Sequence, residues 1–303
     1  MADEKYRWPA EWEPQSAVWL TWPDNQETWP DNLTAAQIEF SAFVHSLAEM
    51  VTVRVIVNQS SLDGAYQRLI RPDIRNVGFI NIPTNDAWAR DYAPTFVVSQ
   101  QNELVAIDWD YNAWGGKYPP FENDQQVASK IATGMTIETL RPGLCFEGGA
   151  IETNGQGILL STLSCACDPN RNSGLPAELK QRFEAAFEKY LGAEQTIWLP
   201  GDAIAGDDTD GHIDQLARFT DPKTLVYAWC DADDPQHAGL AKNLSALKAG
   251  LATAGNDFAV HPLPIPKQPI EICGRRIPAS YCNFLITNDL VVVPQFGCPE
   301  DEL

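Results

Sequence analysis

Apolar and polar positions alternate in short bursts along this chain, never in long ones. Runs of β-branched or aromatic residues occupy positions 17–22, 51–57, 77–82, 95–98, 104–109, 157–162, 196–199, 225–229, 258–260 and 284–293. Each has the length of a strand and is bounded by turn residues. Between them the spacing changes to three or four. Thr34 stands where it can cap a helix carrying Ile38, Phe40, Phe43, Val44, Leu47 and Met50,. Residues 176–190 open with Pro176 and place Leu179, Phe183, Ala186, Phe187 and Tyr190 on one stripe,. A third helix is predicted over 236–254 from Leu240, Leu244, Leu247 and Leu251, and a shorter one over 124–132,.

These elements recur with a rhythm. Leu159, Leu225 and Val291 are equally spaced, each inside an apolar strand run, and the first two are followed by a helix and a strand ending in proline. Phe96 stands a similar distance before Leu159, and residues 17–57 hold an earlier strand, helix and strand. A unit repeated about five times predicts modules arranged around an axis, because each alone is too small to bury its apolar faces. The fifth copy is incomplete: after Val293-Pro294 the sequence reaches Leu303 with no further helix or strand pattern. An exposed edge at that point would leave room for a homo-oligomer.

Composition narrows the partners. The 303 residues include 41 acidic and 21 basic ones, a formal charge of −20 that argues against nucleic acid or an anionic membrane and for a cation,. With 10 Trp and 12 Phe the chain can build a core,. Seven cysteines without a CxxC…CxxC pattern read as reduced thiols,. Met1-Ala2-Asp3-Glu4-Lys5 is no secretory leader and no apolar run is long enough for a bilayer, so a cytoplasmic location is expected,.

Four polar clusters fall at strand ends. Gly206-Asp207-Asp208-Thr209-Asp210-Gly211-His212-Ile213-Asp214 sets a proton carrier beside fixed negative charge, and strand alternation would put His212 and Asp214 on one face,. By itself it reads equally as an acidic, solvated turn. It is no calcium loop, since Gly211 as the invariant glycine would make Gly206 the first ligand and Ala217 the twelfth,. In Asn85-Asp86-Ala87-Trp88-Ala89-Arg90-Asp91, two carboxylates beside an indole suit an organic cation, while an Arg90–Asp91 ion pair is the plainer reading,. Asn112-Ala113-Trp114-Gly115-Gly116-Lys117-Tyr118 and Cys145-Phe146-Glu147-Gly148-Gly149 each combine glycines with polar groups, as ordinary turns also do,. If the strand edges converge, Asp91, Glu147, His212 and Asp214 meet at one centre able to hold a flat cation and move protons.

Together with Asn170-Arg171-Asn172 and Val-Pro-Gln-Phe-Gly at 293–297, these motifs resemble the agmatine deiminase branch of the guanidine-modifying enzymes, over nearly the whole chain,. The resemblance implies a single domain over 1–303: an α/β, five-bladed pseudo-symmetric propeller of ββαβ modules (a pentein), its fifth module incomplete. It implies hydrolysis of agmatine to N-carbamoylputrescine and ammonia, with no metal and no organic cofactor. Carried over by motif, Asp91 and Asp214 clamp the guanidinium, His212 supported by Glu147 serves as general acid and base, and Asp86 and Trp88 line the substrate. One departure stands out. The branch's nucleophile is a cysteine in a Gly-rich His-Cys segment that no residue here matches, and neither Cys298 nor Cys145 takes the role. The 303-residue chain is therefore expected to be C-terminally truncated, to bind guanidines weakly or not at all, and to turn over none.

Three rivals remain. A deiminase of free or peptidyl arginine would call for a basic residue at the pocket mouth, and no basic cluster is obvious near the four motifs. A non-catalytic module could capture a polyamine-like cation. A metal-dependent hydrolase would use His212, Asp214 and Asp208, though His45, His237 and His261 lack ligand spacing,.

Overall fold

The structure is a computed structural model that describes residues 5–201, 203–255, 257–272 and 274–302. The opening Met1-Ala2-Asp3-Glu4, Cys273 among the seven cysteines, and Leu303 lie outside the described residues. The fold is mixed α/β, and three of its sheets share one wiring. In each, a hairpin is followed by a helix and a strand that returns parallel to the hairpin's second strand. Thr95–Ser99 and Leu104–Ile107 pair antiparallel, and Glu138–Leu140 returns after the helix Val127–Met135. Ile151–Thr153, Ile158–Thr162 and Gln195–Leu199 repeat this across Pro176–Ala186. Ala217–Asp221, Thr224–Trp229 and Ala259–Pro264 repeat it across His237–Ala254.

Leu159 and Leu225 occupy equivalent points on two middle strands. Leu159 faces Thr153 and Thr196, and Leu225 faces Phe219 and Val260. A middle strand is covered on both edges and both faces, which is why these runs are nearly all apolar. Ala259–Pro264 carries two prolines yet stays in its sheet because it is the edge strand,. Phe96 falls on the first strand of its hairpin, one strand earlier than its supposed counterparts. The first sheet differs in being all parallel, Val18–Thr21, Val53–Val57 and Val77–Asn81.

The run at 284–293 is two short strands, Leu285–Ile286 and Val291–Val292. Leu285, Leu290 and Val292 of this hairpin pack on the core of the first sheet. The N-terminal segment straps distant parts together. Tyr6–Arg7 extends the Thr95–Ser99 sheet, Trp8 N donates to Leu191 O at 3.0 Å, and Gln15 Nε2 donates to Ile286 O at 2.9 Å.

Several local expectations are corrected. Residues 206–214 are a loop and a 3₁₀ turn, not a strand; the strand begins at Ala217. Its polar sequence, Ala-Arg-Phe-Thr-Asp, hid it from a reading based on apolar runs. Thr34 lies inside the helix Leu33–Ala48, whose N-cap is Asn32, and Ile38 and Met50 are exposed. The helix that opens at Pro176 departs from regular α geometry at Phe187–Leu191. It stops at Gly192 (φ 70°), where a Cβ would stand 2.1 Å from Tyr6 O,. Among the described residues no helix is long and apolar enough to cross a membrane.

Candidate active site

Asp91 sits in the one-turn helix Ala89–Tyr92, held from below by the Tyr92 hydroxyl, which lies 2.7 Å from Thr21 Oγ1 and 2.8 Å from Asp86 O. Its Oδ1 accepts from Gly149 N at 3.0 Å and its Oδ2 from Trp114 Nε1 at 3.1 Å. The indole reaches this point through an unusual turn. Ala113, Trp114, Gly115 and Gly116 all adopt positive φ, 52°, 57°, 84° and 77°. Two glycines take that region freely, whereas each of the other two pays roughly 1–2 kcal/mol.

Glu147 follows Phe146, whose ring is locked 4.6 Å from that of Phe183 in an aromatic cluster with Trp109 and Phe187. The carboxylate is fully buried, and its two oxygens accept from Arg171 Nε at 2.8 and 3.0 Å. His212 lies between two acids, its Nε2 3.4 Å from Glu147 Oε2 and its Nδ1 3.7 Å from Asp91 Oδ1. Asp214, buried beside them, leaves Oδ1 without a hydrogen-bond partner. The centre of the group is Gly149: a Cβ there would stand 2.5 Å from His212 Nδ1 and 2.7 Å from both Asp214 Oδ2 and Asp91 Oδ1. The four residues singled out in the sequence therefore meet, although His212 and Asp214 do so from a 3₁₀ turn and not from one strand face.

Burial and mutual repulsion set the protonation states. Burial opposes charge on His212, but Asp91, Glu147 and Asp214 outweigh it and hold the imidazolium up to about 9,. Burial, with Asp91 adding to it and His212 opposing, pushes Asp214 up to about 6. Burial also raises Asp91, against the pull of His212. Burial works against the charge of Glu147 as well, yet His212 and Arg171 keep it below the usual carboxylate range. The cluster gathers more acidic groups than basic ones around the imidazolium, and it leaves one acceptor, Asp214 Oδ1, unsatisfied. That combination suits a cation with several N–H donors.

Asp86 and Trp88 lie further out. Asp86 Oδ2 accepts from Thr28 Oγ1 at 2.6 Å, and Trp88 is exposed, stacked 5.9 Å from Trp29 and edge-on 6.4 Å from Trp114. Asp208 turns away from His212 to Tyr118 (2.6 Å) and Arg275 (2.8 Å), which removes it from the metal-hydrolase reading. Among the described residues no group of three or more His, Cys, Asp or Glu is arranged to hold a metal ion. Basic residues do stand near the motifs, contrary to expectation. Lys117, Arg171 and Arg275 all reach the 208–210 loop, each tied to aspartate there. Trp114, Gly149 and Arg171 were present in the motifs as letters, but nothing in the sequence says what each touches.

The described cysteines near the cluster are poor nucleophiles. Burial pushes Cys145 and Cys282 up to about 12 and raises Cys165 as well,. Cys298 Sγ meets the Tyr281 hydroxyl at 3.3 Å and Asp301, neither of which belongs to the cluster.

Comparison with known proteins places the chain among relatives. The profile of the Porphyromonas-type peptidyl-arginine deiminases matches residues 7–303. An agmatine deiminase of Pseudomonas syringae pv. tomato is 35% identical, over 98% of this chain and 85% of its own length. Among solved structures, a C. jejuni agmatine deiminase with substrate bound superposes with TM-score 0.88 at 32% identity, covering 100% of this chain and 86% of that one. An agmatine deiminase of Enterococcus faecalis gives 0.87 at 31% identity, covering 98% and 86%.

Proposed function

The chain belongs to the Porphyromonas-type peptidyl-arginine deiminase family, and from that premise we propose that it is a C–N hydrolase of the agmatine deiminase kind, producing N-carbamoylputrescine and ammonia. The observation that carries the reading is the convergence of Asp91, Asp214 and His212 on Gly149, with Asp214 Oδ1 unpaired. Asp91 and Asp214 would grip the guanidinium nitrogens and keep its carbon electron-poor. A thiolate adds to that carbon, and one nitrogen leaves as ammonia with a proton from His212. His212 then takes a proton from the incoming water, whose oxygen displaces the sulfur and becomes the urea oxygen. Glu147 holds the imidazole through this exchange, while Asp86 and Trp88 border the rest of the chain of the substrate. None of the described cysteines is suited to supply the thiolate. The repeated hairpin–helix–strand wiring, together with the last hairpin seated on the first core, supports a ring of five modules forming a single unit over residues 1–303.

The choice of agmatine over arginine rests on charge. Arginine brings a carboxylate, and the cations near the cluster are already matched to Asp208 and Asp210. Calorimetry on the 303-residue chain is expected to give a weak isotherm with agmatine, a Kd of about 1 mM or ~4 kcal/mol, and none with arginine. Asp214→Asn is expected to abolish the heat. Steady ammonia release from agmatine by these 303 residues would contradict the absence of a competent thiolate among the described cysteines. Arginine binding as tightly as agmatine would defeat the substrate assignment.

Agmatine binding is also expected to depend on pH in one direction. The guanidinium stays charged throughout, so only the site titrates. Between pH 7 and 8 Asp214 is ionised, His212 with its midpoint of about 9 is still protonated, and affinity is flat. Below its midpoint of about 6 each bound guanidinium must displace a proton, and affinity falls toward tenfold per unit,. A profile flat down to pH 5 would remove Asp214 from the contact.

A further inference from the structure

Arg171 has no role in the chemistry just described, yet its guanidinium is completely enclosed. Nε donates to both oxygens of Glu147, Nη1 to Asp168 Oδ2 at 2.8 Å and Asp210 Oδ2 at 2.6 Å, and Nη2 to Thr209 O at 2.9 Å. Three stretches of chain meet on this one group. The first carries Glu147, and the second is the loop that continues into His212 and Asp214. The third is the turn at 168–172, which abuts the strained turn of Trp114: Asn112 Nδ2 donates to Asn170 O at 2.9 Å, and a Cβ on Gly115 would touch Asn170 Cβ at 3.0 Å. Neutralising one buried acid would need a single ion pair. A planar fork fixed on three carboxylates and a carbonyl sets orientation as well.

Resting on the deiminase reading, we propose that Arg171 is a positioning residue: its Nε holds the Glu147 carboxylate where Oε2 stays against His212 Nε2, and its Nη1 and Nη2 tie that carboxylate to the loop bearing His212 and Asp214. The groups facing His212 are Asp91, Glu147 and Asp214, and those facing Arg171 are Glu147, Asp168 and Asp210, the last shared with Lys117. Deprived of the fork, a buried Glu147 takes up a proton more readily and ceases to support the imidazolium.

The test is the titration of His212 followed by NMR in the 303-residue chain, where four histidines keep the spectrum simple and His212→Gln assigns the signal. The midpoint is expected to fall by about one pH unit in Arg171→Gln and by less in Arg171→Lys, which keeps the charge without the fork. An unchanged or raised midpoint in either folded variant overturns the proposal, since Arg171 would then be packing or merely a charge opposing the imidazolium. If neither variant folds, the wild-type guanidinium decides: separate, slowly exchanging Nη protons support a fixed fork, and one averaged signal overturns it. Agmatine calorimetry on the wild type runs alongside. Absence of heat there counts against the guanidine reading, while the His212 titration still decides the role of Arg171.

Discussion

Gly149→Ala is expected to eliminate guanidine binding while leaving the protein folded. Its added methyl would occupy the point where His212 Nδ1, Asp214 Oδ2 and Asp91 Oδ1 converge, at 2.5, 2.7 and 2.7 Å. None of these atoms ends a long, flexible side chain. Asp91 is pinned by Trp114 and by Gly149 N itself, and His212 is wedged between two acids. The residue does not use positive φ, so alanine adds no backbone strain and the effect is local,. Pushing two carboxylates and the imidazole apart by several tenths of an ångström removes the paired contact a guanidinium needs. The loss is expected to be at least a hundredfold in affinity, ~2.7 kcal/mol, by calorimetry. Gly134→Ala is the control: it sits in the helix Val127–Met135 with open space around its Cβ position and should bind as wild type. Gly149→Ala binding agmatine within threefold of wild type would show that the three groups do not share a ligand.

The second large effect concerns stability. Arg218, fully buried, donates to Glu152 Oε2 at 2.6 Å, Glu11 Oε2 at 2.9 Å, Phe284 O at 2.8 Å and Cys282 O at 3.2 Å, with the Phe284 ring 4.6 Å from its guanidinium. Arg90 completes the network on Glu11 at 3.0 Å. Replacing Arg218 by methionine keeps much of the volume but strands Glu152 without its ion-pair partner and leaves two carbonyls bare. A loss of about 3–5 kcal/mol in urea unfolding is expected, a large share of the roughly 5–15 kcal/mol typical of a folded domain. Burial already pushes Glu152 up to about 7 against the pull of Arg218. In the variant it escapes part of the penalty by protonation, so the deficit should be smaller at pH 5.5 than at pH 8.5. Adding Glu152→Leu should recover stability. A single variant within 1 kcal/mol of wild type at pH 8.5 would mean that water reaches the network.

How much of this was readable in advance depends on distance along the chain. Strands with apolar middles, such as Ile158–Thr162 and Thr224–Trp229, announced themselves because burial on two faces leaves only one kind of residue acceptable,. Ala217–Asp221 did not, since Arg218 is polar for partners far along the chain and Asp221 is an exposed strand end that accepts from Lys223 N. The same holds at the site. Asp91, Glu147, His212 and Asp214 were legible as carriers of charge in glycine-rich turns. Their meeting point was not, because the pair Gly148-Gly149 looks like any loose turn until His212 is seen against it. Arg171 and Trp114 were visible as members of motifs, with nothing in the sequence to show that one would tie Glu147 to the 209–210 loop and the other would hold Asp91. The expected helix cap at Thr34 failed for a smaller reason: Asn32, two residues earlier, takes the cap position, though its side chain makes no capping bond.

The strap formed by residues 6–15 has a consequence for biosynthesis. Its partners Arg218, Ile286 and Asn288 lie 207 to 275 residues further along the chain. Trp8 finds its cover in the cluster built by residues 97–193 and Trp12 in that built by 160–282, so each stays open to chaperones and proteases until that later part has been made,. The strap closes only once the segment carrying Ile286 and Asn288 is in place.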